Sequence, residues 1–341
     1  MTGFPIPARE ARLRVRPGPA GMAAGAFDIV DTVVPEPREG EVLVRNVAMS
    51  VEPYMRLCLD DTYGPAMASP LGEPPSGSAV GRVVLSRAPS LHPGDIVRSN
   101  FGWRECFVAS AGAVEKLPVI ADIPAEAFLS VLGTTGFTAY VGMIDIGRPS
   151  PGETILVSGA AGAVGSVACQ LAKARRGIVI GIAGSEDKCR WLKGLGIDHV
   201  INYRQSSDLV RSIGLCAPDG IDLYFDNVGG IQLEAAITVA RPRARFVECG
   251  MISTYQASEA PKAPHNLIQI IAKGITLYGY TAADFGHLQP AFRAAMLNWL
   301  ATGEVQWRHT VYDNLAHAPQ ALDDLFAGIG IGKSVVRLVD E

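Results

Sequence analysis

The sequence predicts an α/β protein in two parts: a barrel-like β domain, then a doubly wound parallel sheet with helices on both faces. Three observations carry this. Up to Pro124 the chain is rich in Pro, Gly and β-branched residues, with short strand-like runs between frequent turns. From Glu153 onward short apolar runs alternate with helical segments, the pattern of βαβ units. The first of those runs feeds a glycine-rich turn, Ala160–Ser166, that opens a helix.

The elements follow in order. Glu41–Val47 alternates as a strand, and Val80–Leu85 and Ile96–Val97 carry further strand signals. Between the latter two, His92-Pro93-Gly94-Asp95 is a turn by its chemistry. Ala125–Leu132 and Thr135–Met143 read as helical, with Gly133 between them. Then come the strand Thr154–Ser158, the helix Gly165–Ala174, the strand Ile178–Ile182 and the helix Glu186–Leu195. Val200–Asn202, Asp222–Phe225 and Phe246–Glu248 are short apolar strands, and Leu288–Thr302 and Ala318–Phe326 are amphipathic helices. Ser334–Val339 closes the chain as a strand that returns to the first domain.

Composition sets the limits. A chain of 341 residues has room for two domains. Its 48% apolar and 19% charged residues are ordinary for a globular protein. A net charge of −4 argues against a nucleic-acid partner, which calls for excess Lys and Arg. No apolar run reaches the roughly 18 residues of a membrane span. The N-terminus, with Arg9, Glu10, Arg12 and Arg14 and no apolar stretch, does not read as a secretory signal, so the expected location is cytoplasmic. Cys58, Cys106, Cys169, Cys189, Cys216 and Cys249 form no CxxC pair; most are expected to be small buried hydrophobes.

The turn Gly159-Ala-Ala-Gly-Ala-Val-Gly-Ser166 has the strand–turn–helix setting of a dinucleotide site. Small residues let the backbone approach a pyrophosphate, and a helix N-terminus offers N–H groups and a positive dipole end. Its G-x-x-G is looser than G-x-G-x-x-G, so an ordinary glycine-rich turn competes with this reading. The next strand decides between cofactors. An NAD site places an acid at the end of that strand for the ribose 2′-OH. Here it ends in Ala183-Gly184-Ser185, Glu186 and Asp187 come late, and Lys188 follows at once. A 2′-phosphate then meets less repulsion and gains a cation, with Tyr203 as a further hydroxyl donor. NADPH is the expected cofactor; the competing reading of Lys188 is a solvated helix lysine.

At these residues the sequence resembles the zinc-independent medium-chain dehydrogenases/reductases related to leukotriene B4 12-hydroxydehydrogenase, the prostaglandin, alkenal and curcumin reductases. The resemblance covers nearly the whole chain. It is carried by Met49-Ser-Val-Glu-Pro-Tyr-Met-Arg56, Gly102-Trp-Arg-Glu105, Leu132-Gly-Thr-Thr-Gly-Phe-Thr-Ala-Tyr140 and Val157–Ser166. Gly184-Ser-Glu-Asp-Lys-Cys189, Tyr224-Phe-Asp-Asn-Val-Gly-Gly230 and Cys249-Gly-Met-Ile-Ser-Thr-Tyr255 continue it. It implies a GroES-like β-barrel catalytic domain over residues 1–125, completed by 304–341, with a Rossmann NADPH-binding domain at 126–303. It also implies a homodimer that reduces the C=C bond of α,β-unsaturated ketones and aldehydes. By resemblance, Gly162, Ala163, Val164 and Gly165 hold the pyrophosphate, and Lys188 with Tyr203 the 2′-phosphate. Asn227, Cys249, Gly250, Tyr255, Tyr280, Thr281 and Ala282 line the adenosine and nicotinamide sides. The family's Gly-x-Asn-x-Gly-Lys segment reads Gly328-Ile-Gly-Ile-Gly-Lys333 here, so Gly330 stands in the place of a cofactor-binding asparagine.

Metal chemistry is not expected. Ser50 lies near the position of a zinc-ligating cysteine, Gly72-Glu73-Pro74-Pro75 replaces a Gly-His-Glu signature, and the histidines are scattered. A carbonyl must then be polarised by hydrogen bonds while hydride reaches the β-carbon. Tyr255 and Tyr54 are the candidate donors, because a phenol donates while neutral; each competes with the reading of an aromatic pocket wall. By analogy, Leu59–Met67 and Ile252–Pro264 border the substrate entrance. A quinone reductase is the rival within enzymes. An NADPH-binding protein without catalysis is the rival from another class, and the Gly330 departure speaks for it.

Overall fold

Strand formation near the N-terminus follows alternation that charged residues partly mask. The protein is seen as a computed structural model describing residues 3–18, 21–60, 64, 67–256 and 262–338. It divides into two compact units, Met1–Ser130 with His309–Glu341, and Val131–Arg308.

In the first unit β1 (Ile6–Leu13) and β2 (Phe27–Val34) pair antiparallel, from Ile6 opposite Val34 to Leu13 opposite Phe27. The main sheet contains β3 (Glu41–Ser50), β4 (Ala79–Ser86), β5 (Ile96–Ser99), β6 (Cys106–Ser110) and β7 (Glu115–Lys116). Pro93-Gly94 makes the expected turn before β5, closed by Asp95 N–H to His92 O at 3.0 Å, with Gly94 at φ +94°. The chain returns as strands His309–Asp313 and Lys333–Arg337, and the latter pairs antiparallel with the end of β3. The helix Ala318–Ala327 packs its apolar side into a core with Met49, Met55 and Trp103. Its Asp323 accepts the Ala23 and Ala24 N–H groups at 2.7 and 2.8 Å. Tyr54 opens the short helix α1 (Tyr54–Cys58) directly after β3 and the Val51-Glu52-Pro53 link.

In the second unit α2 (Thr134–Tyr140), with Gly133 at its N-cap, continues into a wider π-type turn, Val141–Gly147. The preceding segment is helical only as a 3₁₀ turn over Ala125–Leu129 in the first unit. The sheet strands are β8 (Thr154–Val157), β9 (Ile178–Ala183), β10 (His199–Asn202), β11 (Ile221–Asp226), β12 (Ala240–Glu248) and β13 (Thr276–Gly279). All pair parallel, in the order β10-β9-β8-β11-β12-β13, the doubly wound arrangement expected. Helices α3 (Ala163–Ala174), α4 (Glu186–Gly194), α5 (Leu209–Cys216), α6 (Gly230–Val239), α7 (Ile268–Lys273) and α8 (Gln289–Ala301) complete it. Leu156, Ile180, Ile182, Tyr224 and Phe246 form the centre of its core.

Several elements escape the sequence pattern, among them Phe27–Val34, Cys106–Ser110, Leu209–Cys216 and His309–Asp313, and for four others the reason is identifiable. β1 places Ala at two inward positions and carries Arg9, Glu10 and Arg12, so its alternation is weak. α6 buries Gln232, Leu233, Ala235, Ala236 and Ile237, too wide a face to show a period. α7 buries none of its residues, and β13 is exposed along its whole length. The six cysteines are unpaired; Cys106, Cys169 and Cys189 are buried, whereas Cys58, Cys216 and Cys249 keep some exposure, fewer buried than expected. Among the described residues no helix is long and apolar enough to cross a membrane.

Candidate cofactor and active site

The strand order fixes where a ligand can sit in the second unit. Connections leave β8 and β11 toward opposite edges of the sheet, which opens a crevice beyond their carboxyl ends. Ser158 and Asp226 meet there. Ser158 Oγ donates to Asp226 Oδ1 at 2.6 Å and accepts the Asn227 N–H at 2.7 Å.

The glycine turn fills one side of this crevice. Gly159 takes φ +55°, Ala160 N–H reaches Ile182 O at 3.0 Å, and Gly162 N–H reaches Gly159 O at 2.9 Å. A Cβ on Gly165 would lie 2.3 Å from Gly159 O and 2.9 Å from Ala160 Cα, so the helix approaches the turn backbone-to-backbone. Helix α3 starts at Ala163, two residues before the expected Gly165, with Gly162 as an N-cap that supplies no side-chain acceptor. The first-turn N–H groups of Ala163, Val164 and Gly165 thus lie at a positive dipole end, the arrangement that receives a phosphate.

At the end of β9 the acidic residues turn aside. Glu186 accepts from Asn202 Nδ2 at 3.0 Å, and Asp187 pairs with Arg190. Ser185 caps α4 through a long 3.4 Å bond from the Lys188 N–H. Tyr203 packs against Gly184, where a Cβ would come within 2.9 Å of its ring. Burial and then the nearby Arg204 charge push the Lys188 ammonium below its usual value. Arg204 lies over the Tyr203 ring, 5.9 Å from its centroid, with Nε 3.4 Å from the phenol oxygen. Lys188, Tyr203 and Arg204 therefore cluster where the acid of an NAD site would stand. Arg204 was not expected from the sequence; its signal was a second cation directly after Tyr203.

On the other side two turns are zipped together. Cys249 and Gly250 N–H groups donate to Asp226 O at 2.9 and 3.1 Å, and Ile252 N–H to Asn227 O at 3.2 Å. Asn227 Nδ2 donates to Ser158 O at 2.7 Å, so its amide braces the crevice. The Tyr255 phenol folds back over its own turn, accepting the Met251 N–H at 3.4 Å beside Gly250. Tyr280 donates to Thr138 O at 2.7 Å, and burial followed by Cys249 raises its phenol well above the usual range. Tyr280 is therefore a wall, with Thr281 and Ala282 leading into the following 3₁₀ segment. From Tyr203 to Tyr280, the expected second-unit residues line one edge of the sheet.

In the first unit Tyr54 leaves 42% of its surface exposed, while burial and then Glu52 raise its phenol above the ordinary tyrosine value. Beneath it, Ser50 Oγ donates to Glu52 Oε1 at 3.1 Å, and the buried Lys333 ammonium donates to Val51 O at 2.7 Å and Glu52 Oε1 at 3.3 Å. Gly330 sits at φ +90°, where a Cβ would lie 2.8 Å from Thr310 Oγ1. That hydroxyl bridges Ile331, accepting its N–H and donating to its carbonyl. An asparagine does not fit this backbone without a shift, so any contact from Gly330 is made by its main chain. Parts of the two expected entrance segments, 61–63, 65–66 and 257–261, lie outside the described residues, as does Val339. Among the described residues no three His, Cys, Asp or Glu are grouped to hold a metal ion.

A doubly wound sheet with a phosphate-ready turn at its switch point, joined to a β-barrel unit, is the frame of a nucleotide-dependent oxidoreductase. Comparison with known proteins agrees. Residues 9–117 match the N-terminal domain of oxidoreductase, and residues 163–302 match the zinc-binding dehydrogenase model. The NADPH-dependent curcumin reductase of Escherichia coli is 35% identical, over 92% of both chains. The 2-alkenal reductase (NADP(+)-dependent) of Nicotiana tabacum is 36% identical, over 90% of both. CurA from Vibrio vulnificus, solved in complex with NADPH, superposes with a TM-score of 0.90 at 34% identity, covering 98% of this chain and 100% of its own. The chain belongs to the medium-chain dehydrogenase/reductase family that includes these reductases.

The tightest constraint on the turn yields a prediction. Gly165→Ala forces a Cβ against two backbone atoms that cannot rotate away, and is expected to cost about 2–3 kcal/mol of stability. Urea denaturation checks this; an unchanged midpoint would mean the turn and helix are not in close contact.

Proposed function

We propose that this chain is an NADPH-dependent reductase of the conjugated C=C bond of small enones and enals, working without a metal as a cytoplasmic homodimer. The observation that carries the reading is the end of β9, where the acids turn aside and Lys188, Tyr203 and Arg204 converge. An adenosine 2′-phosphate matches that cluster in charge and in donors. The reductase names of the full-length relatives supply the reaction class.

Bound NADPH supplies the hydride. The N–H groups of Ala163, Val164 and Gly165 in the first turn of α3 would hold its pyrophosphate, with the Gly250 backbone on the nicotinamide side. A phenol, Tyr255 or Tyr54, donates to the substrate carbonyl oxygen, where negative charge develops as the β-carbon is reduced. The raised phenol of Tyr54 keeps its proton at neutral pH and so remains a donor. The α-carbon then takes a proton from solvent or a nearby acid. The buried Lys333 ammonium donates to Glu52 Oε1, the same oxygen that accepts from Ser50 Oγ, so this carboxylate is already neutralised by a cation of the chain. Supporting the dimer, β13 is an exposed edge strand with Leu277 and Tyr278 open, and α7, just before it in the chain, leaves Ile268 and Ile271 exposed, so a second copy would pair with the edge and cover apolar surface.

Two predictions follow from this placement. Lys188→Ala and Arg204→Ala are each expected to raise KM for NADPH by about tenfold or more while leaving KM for NADH unchanged, as loss of one charge-assisted bond requires. Equal effects on both cofactors would remove these residues from the 2′-phosphate. Tyr255→Phe or Tyr54→Phe, whichever removes the donor, is expected to lower kcat on an enal by about 10²-fold with KM for NADPH unmoved. Turnover of small quinones but not enals would replace the reading with a quinone reductase, and no NADPH oxidation over a broad enone panel would leave a silent binder.

A further inference from the structure

Two carboxyl groups meet under the zipped turns, and the chemistry above makes no use of them. β11 and β12 run parallel with Asp226 and Glu248 as direct register partners, each the last residue of its strand. Both are buried. Asp226 Oδ1 accepts four donors: Ser158 Oγ at 2.6 Å, the Tyr224 hydroxyl at 2.8 Å, Val228 N–H at 2.8 Å and Gly229 N–H at 2.9 Å. An oxygen so engaged has no lone pair left for a proton. Asp226 Oδ2 and both oxygens of Glu248 are also buried, and among the described residues none of them meets an N–H or O–H donor.

The groups that face the pair are Tyr224 on β11, Cys249 next along the chain, and Tyr280 beyond β13, which touches Cys249. None of these is a cation. Two carboxylates side by side in such a place cannot both be ionised, and only a proton on one can link them. We infer that Glu248 is protonated and donates to Asp226 Oδ2, a one-proton clasp that positions the Cys249–Tyr255 turn. Glu248 is a positioning residue in this account. It holds in register the strand end whose next two N–H groups, Cys249 and Gly250, hang on Asp226 O.

The clasp makes the protein sensitive to alkali. Burial, followed by the Asp226 charge, raises Glu248 from 4.5 to about 8. Folded protein thus keeps a proton that the unfolded chain loses above 4.5, so stability falls as pH rises from 4.5 to about 8 and then levels off. Once the proton leaves, two carboxylates repel across the strands and the turn loosens.

The test compares wild type with Glu248→Gln, whose amide donates at every pH. Melting temperatures of both, without cofactor, are followed from about pH 5 to about pH 10. The wild type is expected to lose ground to the variant up to about pH 8 and to run parallel above it. A constant gap across the whole range would overturn the inference. NADPH dissociation constants add a second readout that rests on the cofactor proposed above: wild type weakens several-fold above about pH 8 relative to the variant. Lys188 titrates identically in both proteins and cancels. Failure of either protein to bind NADPH would strike the cofactor reading and leave the melting result standing. If Glu248→Gln does not fold, infrared spectroscopy of the wild type decides. A buried protonated-carboxyl stretch at neutral pH that vanishes through about pH 8 supports the clasp, and its absence at neutral pH refutes it.

Discussion

A single buried carboxylate oxygen organises the second unit. Asp226 Oδ1 draws in a hydroxyl from the end of β8, a phenol from its own strand and two N–H groups of the following turn. Charge-assisted bonds of this kind are among the stronger ones available, about 1.5–3 kcal/mol each. They hold β8 and β11 at a fixed separation where their connections diverge, which is the condition for a crevice at that point of an open sheet. The close approach of Gly165 to Gly159 and the zipping of Cys249 and Gly250 onto Asp226 both rely on that separation.

Charge selection along the edge follows from local chemistry. One end, beyond β10 and β9, presents a cluster of two cations and a phenol, the uncapped N–H groups of α3 come next beyond β8, and the far end carries neutral groups at Cys249, Tyr255 and Tyr280. A ligand with phosphate groups at one end and a neutral ring at the other has one favourable orientation along such an edge. In the first unit Lys333 and Glu52 tie the returning C-terminal strand to the link before Tyr54. A buried pair of this kind costs several kcal/mol to break by removing one partner, so it fixes the link firmly.

Much of this was readable from sequence because backbone constraints leave marks. The strand–Gly turn–helix run, the acid-free end of β9 with Lys188, and the Asp226–Gly230 turn are local signals, and the doubly wound order follows from alternation. What stayed hidden depends on tertiary partners. Asp226 is a strand-end aspartate until Glu248 arrives opposite it from 22 residues further along the chain. Arg204 looks like a surface arginine until it lies over Tyr203. Gly330 read as a missing side chain, yet its φ and the proximity of Thr310 show a backbone that excludes one. The fully exposed β13 has no buried face, so no pattern could announce it.

The reaction itself is tested most directly by following the hydride. With NADPH deuterated at nicotinamide C4 and an unsaturated aldehyde as substrate, the product is analysed by NMR for the position of deuterium. Deuterium on the former β-carbon of a saturated aldehyde is the predicted result. Deuterium on the carbinol carbon of an allylic alcohol would contradict the proposed reaction, because hydride would then have gone to the carbonyl carbon and not to the β-carbon.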